Sequence, residues 1–130
     1  MSTMDLQSIL PRAMTLFLAS VATATAADPP LLERDVLPIL TKHCMGCHGG
    51  LRKFGGLDLR TLPTMLAGGE SGPAITSGSV DASHLWKRIV TDEMPEGENR
   101  EKLSAADKST LRAWIEAGLP TVAQRNTEVA

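Results

Sequence analysis

The chain has 130 residues, a formal net charge of −2 and two cysteines. This length predicts one small domain. The near-balanced charge, without a polybasic tract, argues against binding to nucleic acid or to anionic membrane surfaces. A domain this small buries only about 60–70% of its unfolded surface, and aromatic residues are scarce. We therefore expect something besides ordinary side chains to fill part of the core.

The N-terminal segment has the order of a secretory signal peptide. Arg12 provides a positive flank, an apolar run of 15 residues follows from Ala13 to Ala27, and small residues near its end suit cleavage. The run is shorter than the roughly 20 residues that a membrane-spanning helix needs. We predict a signal peptide over residues 1–27, a mature chain without an integral membrane span, and a periplasmic or other extracytoplasmic location. An uncleaved membrane anchor is the alternative.

Apolar residues at helical spacing predict two helices in the first part of the mature chain. The first has apolar residues at helical spacing from Leu32 and ends at the cysteines. With Asp35 as its N-cap, Pro38 lies in the first turn, so a short or kinked helix is expected. The second runs from about Ala82 to Val90, with Asp81 as its cap. The region between them is rich in glycine and proline and is expected to be loop, with one helical turn at residues 62–67.

The third predicted helix has the clearest signals. Ser104 and Asp107 resemble a capping box, and an apolar stripe at helical spacing follows. Gly118 and Pro120 end the helix. No segment alternates apolar and polar residues long enough to predict a strand. The sequence thus predicts a mostly α domain over residues 28–120 and a disordered tail over residues 121–130.

Cys44, Cys47 and His48 form the pattern C-x-x-C-H, which is typical of c-type haem attachment. Two thiols can add across the two vinyl groups of haem, and the histidine directly after the second cysteine can bind the iron as its proximal ligand. The pattern predicts one covalently attached haem c, held by Cys44 and Cys47, with His48 on its iron.

Three other interpretations of the cysteines were weighed. A disulfide between residues three apart would close a very small loop and stabilise little. A thioredoxin-like redox pair belongs after a strand, and no such strand is predicted. A zinc site built from Cys44, Cys47 and two histidines lacks a second closely spaced pair of ligands. Each is less consistent with the sequence than haem attachment.

A second axial ligand can bind haem iron from the opposite face. The candidates are Met45, Met65, Met94, His43 and His84. Met45 lies inside the attachment motif and His43 directly precedes it, so geometry disfavours both. Met65 lies among leucines and is expected in the core. Met94 follows a helix in polar surroundings, directly before Pro95, which does not suit a core filler. We predict Met94 as the sixth ligand and keep His84 as the alternative.

Histidine and methionine ligation together raise the reduction potential, which suits electron transfer. With both axial positions filled, no position remains for a substrate, so we predict an electron carrier rather than an enzyme. A haem sensor or a peroxidase-like protein with an open sixth position is the second hypothesis. A haem-free thiol or zinc module is the third.

Several segments, taken in order, resemble the planctomycete-type cytochrome c domain. They are VLPILTKHCMGCHGG, GGLDL, GGESGPAI, SHLWKRI, MP and LSAADKSTLRAWIEAGLP, and they lie within Leu32–Pro120. The resemblance implies an all-α, cytochrome c-like fold of three to four short helices and long loops around one haem, with the first and last helices packed together. It also implies attachment through Cys44 and Cys47 and axial ligation by His48 and Met94.

The charges around the methionine differ from the family's usual pattern. The family often has K-M-P-P at this position, where this chain has Glu93 and Glu96 on either side of the Met-Pro pair. Two charged sets are candidates for docking unidentified redox partner proteins. They are the basic set Lys87, Arg88, Lys102 and Lys108, and the acidic set Asp92, Glu93, Glu96 and Glu98. Arg52 and Lys53 are interpreted as solvated rather than as partners of a haem propionate.

Overall fold

The structure is a computed structural model that describes residues 19–23 and 26–130. Within these residues five α-helices are joined by long loops, and only isolated β-bridges occur in place of strands. The prediction of an all-α fold is therefore confirmed. The predicted signal peptide, residues 1–27, lies mostly outside the described residues. In the described part, none of the helices has the length and apolar character needed to cross a membrane.

The first helix starts earlier than its predicted cap. A π-helical turn at Leu32–Val36 leads directly into α1, Leu37–His43. In a regular helix the ring of Pro38 would clash with the carbonyl group four residues before it, and the wider π turn lies at this position. Asp35 is therefore inside the helical segment, so its prediction as N-cap is wrong. Its carboxylate accepts a hydrogen bond from the Leu31 N–H at 2.7 Å.

The middle of the chain forms two short helices. The first, α2 at Leu62–Ala67, coincides with the predicted helical turn. The second, α3 at His84–Val90, begins two residues later than predicted, because its N-cap is Ser83 and not Asp81. The Ser83 hydroxyl is fully buried and donates a hydrogen bond to the Ser79 carbonyl at 2.7 Å. The Ser83 hydroxyl is thus engaged by the preceding loop, and α3 has no side-chain capping bond at its start.

The predicted third helix is the fourth α-helix of the structure, α4 at Ala105–Glu116. Its predicted N-cap is confirmed, since the Ser104 hydroxyl accepts a hydrogen bond from the Asp107 N–H at 3.0 Å. Gly118, with φ of 87°, follows the end of the helix, in the left-handed region that glycine adopts without strain. The apolar stripe of α4 is completely buried and consists of Leu111, Trp114 and Ile115.

A fifth helix, α5 at Val122–Val129, occupies the segment that was predicted to be a disordered tail. Its local signal is a capping box between Thr121 and Gln124, which satisfies two N–H groups of the first turn. The first N–H of α5 also donates to the Glu33 carboxylate at 2.9 Å. Since α5 buries none of its residues, its position depends on these capping contacts and on an ion pair between Arg125 and Asp28 at 3.3 Å.

The core lies between the first helical segment and α4. The chain after α4 returns to the start of this segment, where the Leu32 N–H donates to the Pro120 carbonyl at 2.9 Å. The same carbonyl accepts a hydrogen bond from the indole N–H of Trp114 at 3.1 Å. Trp86 is also buried, as expected, and the Arg112 guanidinium lies 5.9 Å from the centre of its ring. These contacts confirm the expected packing of the first helix against α4.

Leucine-to-alanine substitutions at a buried and an exposed position test this core. Leu40 in α1 has 0% exposure, whereas Leu51 has 104%. We expect Leu40→Ala to lower the free energy of unfolding by about 2–5 kcal/mol, because it removes buried methyl groups and leaves a cavity. Leu51→Ala is expected to change it by less than about 0.5 kcal/mol. Urea unfolding curves measure both, and equal losses in the two variants would contradict this description of the core.

Candidate functional site

The two cysteines and His48 lie on a turn that continues α1. The Cys44 N–H donates to the Leu40 carbonyl at 2.8 Å, and the His48 N–H donates to the Cys44 carbonyl at 2.9 Å. Residues at positions i, i+3 and i+4 of a helical turn share one side. The turn therefore presents Cys44, Cys47 and His48 towards the same region of the molecule.

That region is a cavity of about 470 Å³ with mostly apolar walls. This volume is within the range of about 300–1,000 Å³ that is usual for cofactor and ligand sites. All four residues predicted for the site line the cavity, together with the alternative ligand, and these five are Cys44, Cys47, His48, His84 and Met94. Residues separated by as many as 50 positions in the sequence thus meet at one site.

The His48 ring is oriented by a backbone group. Its Nδ1 atom lies 3.0 Å from the Phe54 carbonyl oxygen, which can only accept a hydrogen bond. Nδ1 must therefore carry the proton in this contact, and the lone pair of the neutral ring is on Nε2. A histidine that binds a metal through one nitrogen usually donates its other N–H in this way. The contact prepares Nε2 of His48 to be a ligand.

The loop after the cysteine turn folds back over it. The Phe54 N–H donates to the Cys47 carbonyl at 3.0 Å, and the Leu59 N–H donates to the His48 carbonyl at 2.9 Å. Two hydrogen bonds to backbone carbonyls of the motif thus add to the one from the His48 ring. The loop residues Phe54, Gly55, Leu57 and Leu59 line the cavity. This loop therefore forms the wall beside His48.

Asp58 stabilises the loop after the cysteine turn through ion pairs with two basic residues. Its carboxylate is buried and forms ion pairs with Arg60 at 2.8 Å and with Lys53 at 3.2 Å. Hydrogen bonds from the Arg60 side chain and backbone hold the pKa of this carboxyl well below its usual range. Lys53 is thus engaged by a carboxylate of the chain, and neither Arg52 nor Lys53 is among the residues that line the cavity.

A second glycine-rich loop packs tightly against the first. The Glu70 N–H donates to the Gly55 carbonyl at 2.8 Å. A Cβ atom added to Gly69 would lie only 2.3 Å from this carbonyl oxygen, so the close approach of the two loops requires glycine at position 69. Gly55 and Gly69 both line the cavity. The glycines of this region therefore serve close packing of the cavity wall.

The remaining wall comes from α3 and the loop after it. Met94 is half-buried, and its N–H donates to the Arg88 carbonyl in α3 at 2.9 Å. His84 lies in the first turn of α3 and is exposed, as expected for a solvated histidine, but it also lines the cavity. The geometry thus keeps both candidates for the sixth ligand at the site. Met65 is fully buried in the core, in agreement with the prediction.

Sequence reasoning did not place His43, Arg88 or Arg100 at the cavity, although all three are polar residues of its wall. His43 is almost completely buried, and its Nε2 lies 3.7 Å from the Asp107 carboxylate, without a hydrogen-bond partner in the described residues. Asp107 was predicted to complete a capping box, and its carboxylate faces His43. The sequence offered His43 only as a candidate axial ligand that its place beside the attachment motif disfavours, and it gave no signal for the contact with Asp107.

Both cysteines are half-buried and do not form a disulfide with each other. Burial, with a smaller contribution from the nearby Cys47, raises the pKa of Cys44 to about 11. The neutral S–H form of Cys44 is therefore the form that the fold favours at neutral pH. Within residues 19–23 and 26–130 no group of three or more His, Cys, Asp or Glu side chains is placed to hold a metal ion.

Comparison with known proteins identifies the kind of domain. A family described as Planctomycete cytochrome C matches residues 44–97, which include the cysteine turn, both glycine-rich loops, α2, α3 and Met94. These residues are therefore similar to the planctomycete-type cytochrome c family, and the resemblance described above is confirmed. No curated protein and no solved structure matched the chain. The family implies haem c, and the spacing of Cys44 and Cys47 fits its covalent attachment.

The raised pKa of Cys44 predicts slow alkylation of the haem-free protein. Because the thiolate is the reactive form, the rate of iodoacetamide labelling at Cys44 should rise with pH towards a midpoint near 11. In urea, where burial is lost, the midpoint should fall to the ordinary value of about 8.5. Mass spectrometry of the Cys44 peptide measures both midpoints. A midpoint in the folded protein equal to that in urea would show that the thiol is not buried as described.

Proposed function

We propose that the chain is a monohaem c-type cytochrome that carries single electrons between redox partner proteins. The observation that carries this proposal is the meeting of Cys44, Cys47, His48 and Met94 at one mostly apolar cavity, with the His48 ring already fixed through Nδ1. The match to a cytochrome c family supports haem as the cofactor. Bound haem supplies the chemistry, which is the reversible uptake of one electron at its iron.

Cys44 and Cys47 would hold the haem covalently. Each thiol would add its S–H across one vinyl group, so that sulfur bonds to one vinyl carbon and the proton goes to the other. No oxidant or leaving group is needed for this addition. The half-buried position of both sulfur atoms on the cavity wall supports this role. The two thioether bonds would keep the cofactor in place in both oxidation states.

His48 and Met94 would be the two axial ligands. His48 would bind the iron through Nε2, since its other ring nitrogen donates to the Phe54 carbonyl. Met94 would bind from the loop after α3, and its half-buried position on the cavity wall supports this assignment over the exposed His84. Methionine with histidine raises the reduction potential compared with two histidines. With both positions filled, no site for a substrate would remain on the iron.

A second candidate function is a haem sensor or a peroxidase-like protein with an open sixth position. The observation that favours it is that Met94 lies in a loop rather than in a helix, so that its sulfur depends on that loop for its position. His84 on the same cavity offers a further alternative ligand. The identity of the sixth ligand therefore decides between an electron carrier and a protein that binds small molecules at its iron.

The location and partners follow from the same proposal. Cytochrome c domains are typically extracytoplasmic. Together with the predicted signal peptide, this supports a protein that is secreted across the inner membrane and acts in the periplasm or another extracytoplasmic space. Redox proteins of that compartment, of unknown identity, would be its partners.

Expression with a haem c maturation system tests the attachment. We expect the purified protein to carry one haem that stays bound in denaturant, seen as an added haem mass on the chain. Cys44→Ala and Cys47→Ala variants should each lose one thioether bond, and the double variant should lose all covalent haem. Leu51→Ala, a change at a fully exposed side chain, is the matched control and should keep it. If cells with a working haem c maturation system produce wild-type protein without haem, the proposal is wrong.

Substitution of the two candidate ligands tests the sixth position. The ferric wild-type protein should show the far-red absorption band of methionine bound to iron. Met94→Ala should abolish this band and lower the reduction potential, because a thioether ligand favours reduced iron. His84→Gln should retain both properties. Loss of the band in His84→Gln alone, or a high-spin wild-type spectrum that shifts on adding carbon monoxide or peroxide, would favour the second candidate function.

A further inference from the structure

The loop that carries Met94 lacks helical hydrogen bonds, so other contacts must fix its position. It lies between α3 and α4 and contains Asp92, whose φ of 58° is in the left-handed region. Two backbone hydrogen bonds join the start of the loop to α3, from the Asp92 N–H to the Ile89 carbonyl at 3.1 Å and from the Met94 N–H to the Arg88 carbonyl at 2.9 Å. No backbone bond of this kind follows from Pro95, so the loop needs further contacts to keep the Met94 side chain at the cavity wall.

Three basic side chains make further contacts with the residues next to Met94. Lys108 of α4 forms an ion pair with Asp92 at 2.7 Å, and only 21% of its side chain is exposed. The Nε of Arg88 lies 2.8 Å from the Glu93 carboxylate, as an ion pair that is not well directed as a hydrogen bond. Lys102 donates a hydrogen bond to the Pro95 carbonyl. The residues two before, one before and one after Met94 are thus each held by a different cation.

We propose that Lys108, Arg88 and Lys102 are positioning residues that hold Met94 at the iron and so keep the sixth position closed. This inference rests on the proposed function, in which Met94 is the sixth ligand. The three cations come from α4, α3 and the segment between them, so the contacts cross-link the loop to both helices. We call them the loop ties. They act through Met94 and have no contact with the iron themselves.

An external ligand measures how often the loop opens. Imidazole can bind the ferric iron only when Met94 has left, so its apparent affinity is its intrinsic affinity multiplied by the open fraction. Exposed ion pairs typically change an equilibrium by up to about fivefold. Loss of one loop tie should therefore tighten imidazole binding by about two- to fivefold, which titration of the absorption spectrum resolves.

The Asp92–Lys108 tie allows a clean double-mutant cycle. Asp92→Asn keeps the shape of the side chain, and asparagine tolerates the left-handed backbone at this position. Lys108→Gln removes the partner's charge. The two variants change the net charge in opposite directions, so a long-range effect on the iron would have opposite signs. If the tie holds Met94, both single variants and the double variant should tighten imidazole binding by similar factors, because the same contact is lost in all three.

Glu98→Gln is the matched control for charge, since Glu98 lies in the same loop region and takes part in none of the loop ties. It should leave imidazole binding unchanged, whereas Glu93→Gln should tighten it. High salt should bring the wild-type protein closer to the Asp92→Asn variant, because ions screen exposed pairs. Opposite or additive effects in the cycle, or affinities equal to the wild-type value, would overturn the proposal.

Hydrogen exchange of the Met94 amide gives a readout that does not depend on the iron. Its N–H donates to the Arg88 carbonyl, so it should exchange about two- to fivefold faster in the tie variants than in Glu98→Gln. The far-red band of the wild-type protein is recorded first. If that band is absent, the assignment of Met94 as ligand fails. Unchanged amide exchange in the tie variants shows, separately, that the loop ties fail.

Discussion

The hydrogen bond between the His48 ring and the Phe54 carbonyl is the contact on which the site depends. It fixes the ring nitrogen that carries the proton, and it joins the cysteine turn to the loop that covers it. The Phe54 N–H returns to the Cys47 carbonyl, so one residue bonds both the turn and the ring. The ion pairs of Asp58 and the close packing of Gly69 against the Gly55 carbonyl also hold this loop in place. The wall beside His48 is therefore built largely from hydrogen bonds of backbone groups.

The cavity and the hydrophobic core are continuous. Leu59, Leu85 and Ile89 belong to the buried core and also line the cavity. A domain of about 100 residues buries a smaller fraction of its surface than a large one, and its core is correspondingly marginal. A large apolar cofactor in this cavity would extend the core that α1 and α4 begin. Covalent attachment would then contribute to the stability of the domain as well as to its chemistry.

The sequence predicted correctly those helices and caps that are set by interactions between neighbouring residues. The α4 stripe and its Ser104 cap were predictable because residues within one turn set them, and the C-x-x-C-H pattern is itself contiguous. Asp35 and Asp81 were wrongly assigned as caps, since a proline-associated π turn precedes α1 and Ser83 is the N-cap of α3. The capping box of α5 was a local signal for a helix, but residues 121–130 were predicted to be a disordered tail.

The assembly of the cavity could not be predicted from the residues alone, because it joins turns and loops that are distant in sequence. The polar surroundings of Met94 and its neighbour Pro95 suggested its pairing with His48, and the resemblance to a family agreed with it. The burial of His43 against Asp107 and the presence of Arg88 and Arg100 on the wall had no sequence signal. These residues become visible only when α3, α4 and the loops between them have taken their places.

The structure also changes the meaning of the charged residues around Met94. The sequence offered an acidic and a basic set as alternative docking surfaces, but members of the two sets pair with each other, as Asp92 with Lys108 and Glu93 with Arg88. Charges that are engaged in this way contribute less to steering a partner than free ones. The glutamate before the methionine, where the family often has lysine, meets a basic partner on α3. The negative charge that Glu93 brings in place of the family's usual lysine is thus paired within the chain. The pair also adds a contact to the loop that positions Met94.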